Sequence, residues 1–236
     1  MEYYTEVKLM GDAYGAGFSN GLTMCGSQSA AAFRKVEDMG PDAVYDDDRQ
    51  HRIVLHKKAA GQAVEVSTEF INDSAEAVTL EMLSSFAIRG INADRIHRLQ
   101  SFWSAEGKLR TESIEELHLE PSWNRCGMRV EKFGNVGSMP VRKYFPFLVV
   151  EDSKKQEFLG IQLYCPSSWQ IEILCKDDDT LTIAGGIADR DFGHWMKKLS
   201  PGEKFVTPKA VIAGGKTLYE VCDKLVDAIK SDKYDV

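Results

Sequence analysis

YFPFLVVEDSKKQEFLGIQLYCPSSWQIEILCKDDDTLTIAGGIADRDFGHWMKKLSPGEKFVTPKAVIAGG, residues 144–215, decides the fold. Its apolar residues fall in short runs, Phe147 to Val150, Phe158 to Leu163, Ile171 to Leu174 and Leu181 to Ile183, with polar, Asp-bearing or Gly-bearing breaks between them. Runs of that length, bounded by turn formers, predict strands and not helices. Ser200-Pro201-Gly202-Glu203 reads as a turn that buttresses a hairpin: proline pre-sets φ, glycine is free to take positive φ, and Phe205, Thr207, Ala210, Val211 and Ile212 resume extended chain.

Upstream the same grammar continues. Ile53 and Leu55, then Val64, Val66, Thr68 and Phe70, then Val78, Leu80, Met82, Phe86 and Ile88 alternate with polar residues, and Asn72-Asp73-Ser74 turns the chain. The pattern predicts antiparallel strands with one buried face. Tyr3, Tyr4, Val7 and Leu9 suggest a first strand, and Ala30 to Val36 leads into another. Met39 to Asp42 and the acidic triplet Asp46-Asp47-Asp48 read as exposed turns; the triplet lacks the spaced carboxylates that fold around calcium, so no metal is assigned. Residues 89–119 give no clean period, and Gly134 to Pro140 is a glycine-punctuated loop. Downstream, Gly214-Gly215 is expected to break the sheet. Thr217-Leu218-Tyr219-Glu220 has the form of a capping box, and Leu218, Val221, Cys222, Leu225, Val226 and Ile229 recur at helical spacing.

The whole chain, 236 residues with 43 % hydrophobic content, can hold one large all-β domain or two small ones. Its 29 Lys and Arg against 36 Asp and Glu leave a net charge of −7, and no basic cluster stands out, which argues against nucleic acid and against an anionic membrane surface. An uncharged ligand such as a sugar is compatible with that balance. The five cysteines, Cys25, Cys126, Cys165, Cys175 and Cys222, are scattered without C-x-x-C spacing, so neither a disulfide framework nor a zinc site is favoured and a reducing cytoplasm fits best. No apolar run approaches the ~20 residues that span a bilayer, and the first residues lack the basic and apolar regions of an export signal. Serine-hydrolase elbows, H-E-x-x-H helices and phosphate-binding glycine loops are absent, and no cofactor is implied.

Several phrases carry a family resemblance. The strand PFLVV, the two strands within GIQLYCPSSWQIEI, and the segment from Phe192 to Pro208, F-x-x-W-x-x-x-L-x-P-G-E-x-F-x-T-P, stand in the order found at the end of the N-terminal β-supersandwich domain of glycoside hydrolase family 36 α-galactosidases. STEFINDSAEAVTLEML, residues 67–83, resembles another phrase of that domain, and the likeness spans about residues 50–230. It implies an all-β fold, an antiparallel two-sheet supersandwich of the galactose-mutarotase type over residues 1–213, N-terminally incomplete, with a C-terminal linker helix over 214–236 that leads toward a catalytic barrel outside this chain. It also implies a parent enzyme that removes terminal α-galactose from oligosaccharides with retention, in homo-oligomers. Two departures concern the site: Ser101 stands where the family carries glycine before a tryptophan, and GSMPVRKYFPF replaces a histidine-bearing loop.

Retaining glycosidases need two carboxyl groups about 5 Å apart. In the resembled family both are aspartates of the barrel, and neither motif occurs here, so no catalytic residue is assigned. Glu65, Glu69 and Asp177 to Asp179 read as surface charge. Trp103, Trp123, Trp169 and Trp195 are candidates for stacking on sugar; Trp169 and Trp195 sit in strand phrases that favour core, whereas Trp103 reads either as core or as the rim of a sugar site. Through the resemblance, Trp103, Arg110, Arg142 and Lys143, with the loop from Gly134, are the expected substrate contacts. Two other readings stay open: a free-standing carbohydrate-binding module, and a mutarotase-like epimerase in which one of His51, His56, His97, His118 and His194 meets a glutamate from another strand.

Overall fold

In the computed structural model the described residues are 1–15, 23–119, 129–139, 141–175 and 180–231, so Trp123, Cys126 and Asp177 to Asp179 lie outside them. The short apolar runs do form strands. In chain order the elements are β1 (Glu2–Tyr4), β2 (Val7–Leu9), α1 (Gln28–Ala32), β3 (Arg34–Asp38), β4 (Asp42–Asp46), β5 (His51–Ala60), β6 (Ala63–Asn72), β7 (Val78–Ile91), β8 (Arg95–Gln100), β9 (Lys108–Ser113) and β10 (Arg129–Asn135). There follow β11 (Phe147–Asp152), β12 (Glu157–Leu163), β13 (Trp169–Cys175), β14 (Leu181–Ile187), α2 (Arg190–Gly193), β15 (Lys197–Leu199), β16 (Lys204–Val206), β17 (Ala210–Gly215) and α3 (Leu218–Ser231).

These strands make two antiparallel sheets. Sheet I runs β1-β7-β14-β13-β10, with β2 and β15 also on β7; sheet II runs β3-β4-β5-β6-β17-β12-β11-β8-β9, with β16 on β6. The inner faces share one core. Phe86 and Ile88 of β7, Trp169 and Ile171 of β13 and Ile183 of β14 meet Ile53, Val66, Phe70, Leu148, Ile161 and Ile212 from sheet II. Each such side chain contributes roughly 1.5–3 kcal/mol on full burial.

The expected stripe along β7 is interrupted. Leu80 and Leu83 face the core, while Met82 packs on the opposite side with Met24, Cys25, Leu174 and Ala184. The cause is a register shift: Lys8 pairs with Met82 but Leu9 pairs with Leu80, which inserts one extra residue, Glu81, on β7. Other expectations are corrected too. Gln28 to Ala32 is a short helix capped by Ser27, whose side chain accepts from Ala30 N, before β3 begins. Asp47 of the acidic triplet is not a solvated charge; its side chain is enclosed and accepts from the backbone N–H groups of Arg49 and His51.

The turn at Ser200 to Glu203 does not close a hairpin. β15 before it pairs with β7 of sheet I and β16 after it pairs with β6 of sheet II, so the turn carries the chain from one sheet to the other. Asn72 anchors this crossing: its Nδ2 donates to Leu199 O at 3.1 Å, its carbonyl accepts from Gly202 N at 2.7 Å, and Gly202 takes a φ of 77°. Gly214 and Gly215 do not break the sheet; they extend β17 opposite Leu159 and Phe158.

Beyond them the helix forms where its caps and period predict. Thr217 Oγ1 accepts from Glu220 N at 3.1 Å, and the Glu220 carboxylate reaches back to Lys216 N at 2.8 Å. Val221, Leu225 and Ala228 of α3 then lie on Phe147, Val149, Val211 and Ala213, covering the outer face of sheet II. A Cβ at Gly160 of β12 would collide with Val221 and stand 3.2 Å from Leu225 Cδ1, so the helix sits directly on a strand that offers no side chain. No helix among the described residues is long and apolar enough to cross a membrane.

Candidate ligand-binding site

One end of the sandwich carries an open cleft of about 590 Å³ between two loops. The first wall is the tip of the β8–β9 hairpin. Gln100 pairs with Lys108, and the intervening turn is closed by Gly107 N donating to Gln100 O and Ala105 N donating to Phe102 O, both at 2.8 Å. Ser104 and Gly107 both take positive φ there, at 65° and 74°. Phe102 and Trp103, within this turn, are 63 % and 84 % exposed.

The opposite wall is the end of β10, Gly134 and Asn135, followed by Val136. Gly134 is required by packing: an added Cβ would run into Trp169 O and stand 2.9 Å from both Gln170 Cα and Phe192 Cε1. Asn135 Nδ2 donates to Met139 O, and Gly137 N donates to Ser168 Oγ at 2.9 Å, which fixes the loop against β13. The loop then returns to the first wall. Ser101 N donates to Lys143 O at 2.9 Å and Phe145 N donates to Leu99 O at 3.0 Å, bringing Arg142 and Lys143 over the cleft.

Beneath lies Arg98 of β8, buried between the sheets. It contacts Glu112 of β9 and Glu131 of β10 and lies over the rings of Phe133 and Tyr144, at 5.0 and 5.1 Å. Burial opposes its charge, but the two carboxylates outweigh that and raise its pKa, so the guanidinium stays ionised and ties β8 and β9 to β10.

Of the expected contacts, Arg142 and Lys143 line the cleft; Trp103 stands next to the lining residue Phe102, and its exposure rules out the core reading. Arg110 is not brought in. It lies opposite Arg98 in register, half-exposed, with its Nε 3.1 Å from Glu112 Oε1. Asn135 falls within the expected loop from Gly134, whereas Gln100 and Phe102 lie outside every expected contact; the aromatic pair Phe102-Trp103 between Ser101 and Ser104 is the signal that points to them.

The remaining titratable clusters lie outside the cleft. Lys132 Nζ lies 2.7 Å from Glu172 Oε1 and 3.1 Å from Asp189 Oδ2, and Gln170 Nε2 donates to both carboxylates at 3.0 and 2.8 Å. Burial pushes the Glu172 carboxyl up, partly offset by Lys132 and by the Thr23 hydroxyl. Such a pair has the composition of an acid and a base, but Asp189 is spent capping α2 through Phe192 N, and the adjoining void holds only about 10 Å³, room for one water at most. His97 Nε2 does meet Glu151 Oε2, at 2.9 Å from another strand; its Nδ1 is already bonded to Thr111 Oγ1 and neither residue lines a large cavity. His51 is held by Asp47 and His56 by Asp42. Glu65 and Glu69 make surface ion pairs with Lys209 and Lys204. Among the described residues no cluster of three or more His, Cys, Asp and Glu could hold a metal ion, and Cys25, Cys165, Cys175 and Cys222 form no disulfide with one another.

No family model matches the chain, and no curated protein matches it in sequence. Solved structures do match in fold. The α-galactosidase from Lactobacillus brevis superposes with a TM-score of 0.61 at 16 % identity, over 91 % of this chain and 26 % of that one. A variant of the family 36 α-galactosidase AgaA from Geobacillus stearothermophilus, solved with stachyose, gives 0.62 at 16 % identity over 97 % and 29 %. The galactosidase domain of the α-galactosidase–sucrose kinase AgaSK gives 0.63 at 11 % identity over 92 % and 27 %. The chain thus has the fold of a segment of these proteins and spans between a quarter and a third of their length.

Proposed function

We propose that this chain is the non-catalytic N-terminal β-sandwich domain of an α-galactosidase-like glycoside hydrolase, which removes terminal α-galactose from oligosaccharides. In this reading α3 leads toward the catalytic barrel, the sandwich supports that barrel and the oligomer, and the cleft of Arg142 and Lys143, with Trp103 at its rim and Arg110 beyond, borders the mouth of the active site. One observation carries the reading: the fold match takes in 91–97 % of this chain but only 26–29 % of the α-galactosidase chains. The buried group of Lys132, Glu172 and Asp189 offers no rival site, since Asp189 caps α2 and Lys132 bridges both carboxylates.

Two measurements test it. The purified chain should release no p-nitrophenol from p-nitrophenyl α-galactoside above the buffer rate; turnover would end the reading. An antibody raised against the chain should detect, in cells that express it, a polypeptide several times longer. The cleft itself favours a second reading, a carbohydrate-binding module acting on its own, and a band no longer than this chain would select it.

A further inference from the structure

Among the described residues two cavities are large, about 600 and 590 Å³, and their charges are arranged in opposite ways. The first, between α3 and the β7–β8 turn, is lined by three lysines and three acids that neutralise one another. Lys216 meets Glu157 at 3.0 Å, Lys224 meets Glu220 at 2.6 Å and Lys155 meets Asp152 at 3.5 Å. It offers a charged ligand nothing that water does not.

The second is the cleft at the β8–β9 tip. Two cations line it, no carboxylate does, and neither Arg142 nor Lys143 meets an acid anywhere among the described residues. Lys143 Nζ lies over the Tyr144 ring, 5.3 Å from its centroid. In a chain of net charge −7, two uncompensated cations in one concavity cost self-repulsion that a ligand can repay. The polar amides beside them are also unspent among the described residues: the Gln100 side chain has no hydrogen-bond partner there, and Asn135 uses only Nδ2. Phe102 supplies an exposed apolar face at the edge. Convergent unsatisfied donors around an aromatic face describe a site for a small polar ring that carries negative charge.

We infer that this cleft binds an anionic carbohydrate, a pyranose bearing a carboxylate or a phosphate, with Arg142 and Lys143 on the anion, Gln100 and Asn135 on hydroxyls and Phe102 on the ring face. The inference rests on the reading of the cleft as a sugar contact given above and adds the charge of the sugar; it does not depend on the barrel.

Calorimetric titration of the purified chain with galacturonate, galactose 6-phosphate, raffinose and inorganic phosphate tests it. One or both sugar anions should bind at least tenfold more tightly than raffinose and than phosphate, and should weaken several-fold between 0.05 and 0.5 M salt as screening sets in. The paired change Arg142→Ala with Lys143→Ala should remove that binding, and Phe102→Ala should weaken the sugar anions while leaving phosphate unchanged; all three side chains are exposed, so the fold tolerates their loss. Raffinose binding as tightly as galacturonate would overturn the charge assignment. Phosphate binding as tightly as the sugars would reduce the cleft to an anion site, and no binding of any probe would overturn the site. The turnover assay is unaffected by each of these results, so the two proposals fail separately.

Discussion

Arg98 of β8 and Glu131 of β10 form an ion pair that crosses the interior from sheet II to sheet I, with Glu112 on the guanidinium's other side. Its partners are less able to do without it than it is without either of them. Arg98→Met keeps most of the volume but takes from Glu131 its cation and leaves Glu112, 8 % exposed, with only the half-exposed Arg110. Breaking a buried pair in this way costs about 3–5 kcal/mol. Urea denaturation should show that loss, and a cost below 1 kcal/mol would mean that water reaches the pair. Glu131→Gln should cost less, because Glu131 is more open and Glu112 still balances Arg98.

Gly134→Ala tests the cleft wall. The new methyl meets backbone of β13 as well as the Phe192 ring, and backbone cannot step aside as a side-chain tip can. The expected destabilisation is about 1–3 kcal/mol, with displacement of β10 from β13. Gly137→Ala, where φ is 119° but the surrounding space is empty, should be a strain effect alone and leave the β10–β13 amide protection unchanged in hydrogen exchange.

Glu172 makes stability depend on pH with a definite sign. Its carboxyl is raised by burial in the folded chain, so above the ordinary glutamate range, about 4.3, the folded state holds a proton that the unfolded state has released. Stability from this group is therefore complete below that range and falls as pH rises through the folded-state pKa. Glu172→Gln should flatten the fall, measured as the urea midpoint from pH 4 upward. An identical slope in both proteins would contradict the buried-acid account.

The two sides of α3 should respond differently. Leu225 lies against Gly160 and Val211, whereas its neighbour Val226 is 46 % exposed. Leu225→Ala should cost about 2–5 kcal/mol, and Val226→Ala less than ~0.5. Equal costs would mean that the helix does not rest on sheet II.

How far the chain could be read in advance follows from what is local. Strand runs such as Phe147 to Val150 and Ile171 to Leu174, and the capped helix after Thr217, are legible because period and turn chemistry act over a few residues. Arg142 and Lys143 were reached through resemblance, and both line the cleft; Arg110 was reached the same way and does not, because its register partner is the buried Arg98 and its own contact is Glu112. Asn135 sits in the glycine-punctuated loop, but Gln100 carries no local mark at all. The two become neighbours in one cleft only when the β8–β9 tip and the loop after β10, 35 residues on, are drawn together by the Ser101–Lys143 and Phe145–Leu99 hydrogen bonds.

By itself, then, the sequence determined the all-β class, the strand grammar and the terminal helix, since burial of alternating side chains and satisfaction of helix ends are decided by near neighbours. Only the tertiary structure decided that the turn at Pro201 changes sheets and that Gly214 and Gly215 still belong to a strand. It also decided that the Glu172–Asp189 pair is buried and spent, and that two unneutralised cations share one cleft. Each of these depends on which distant strand lies alongside, and pairing between sheets is fixed by how the whole core packs.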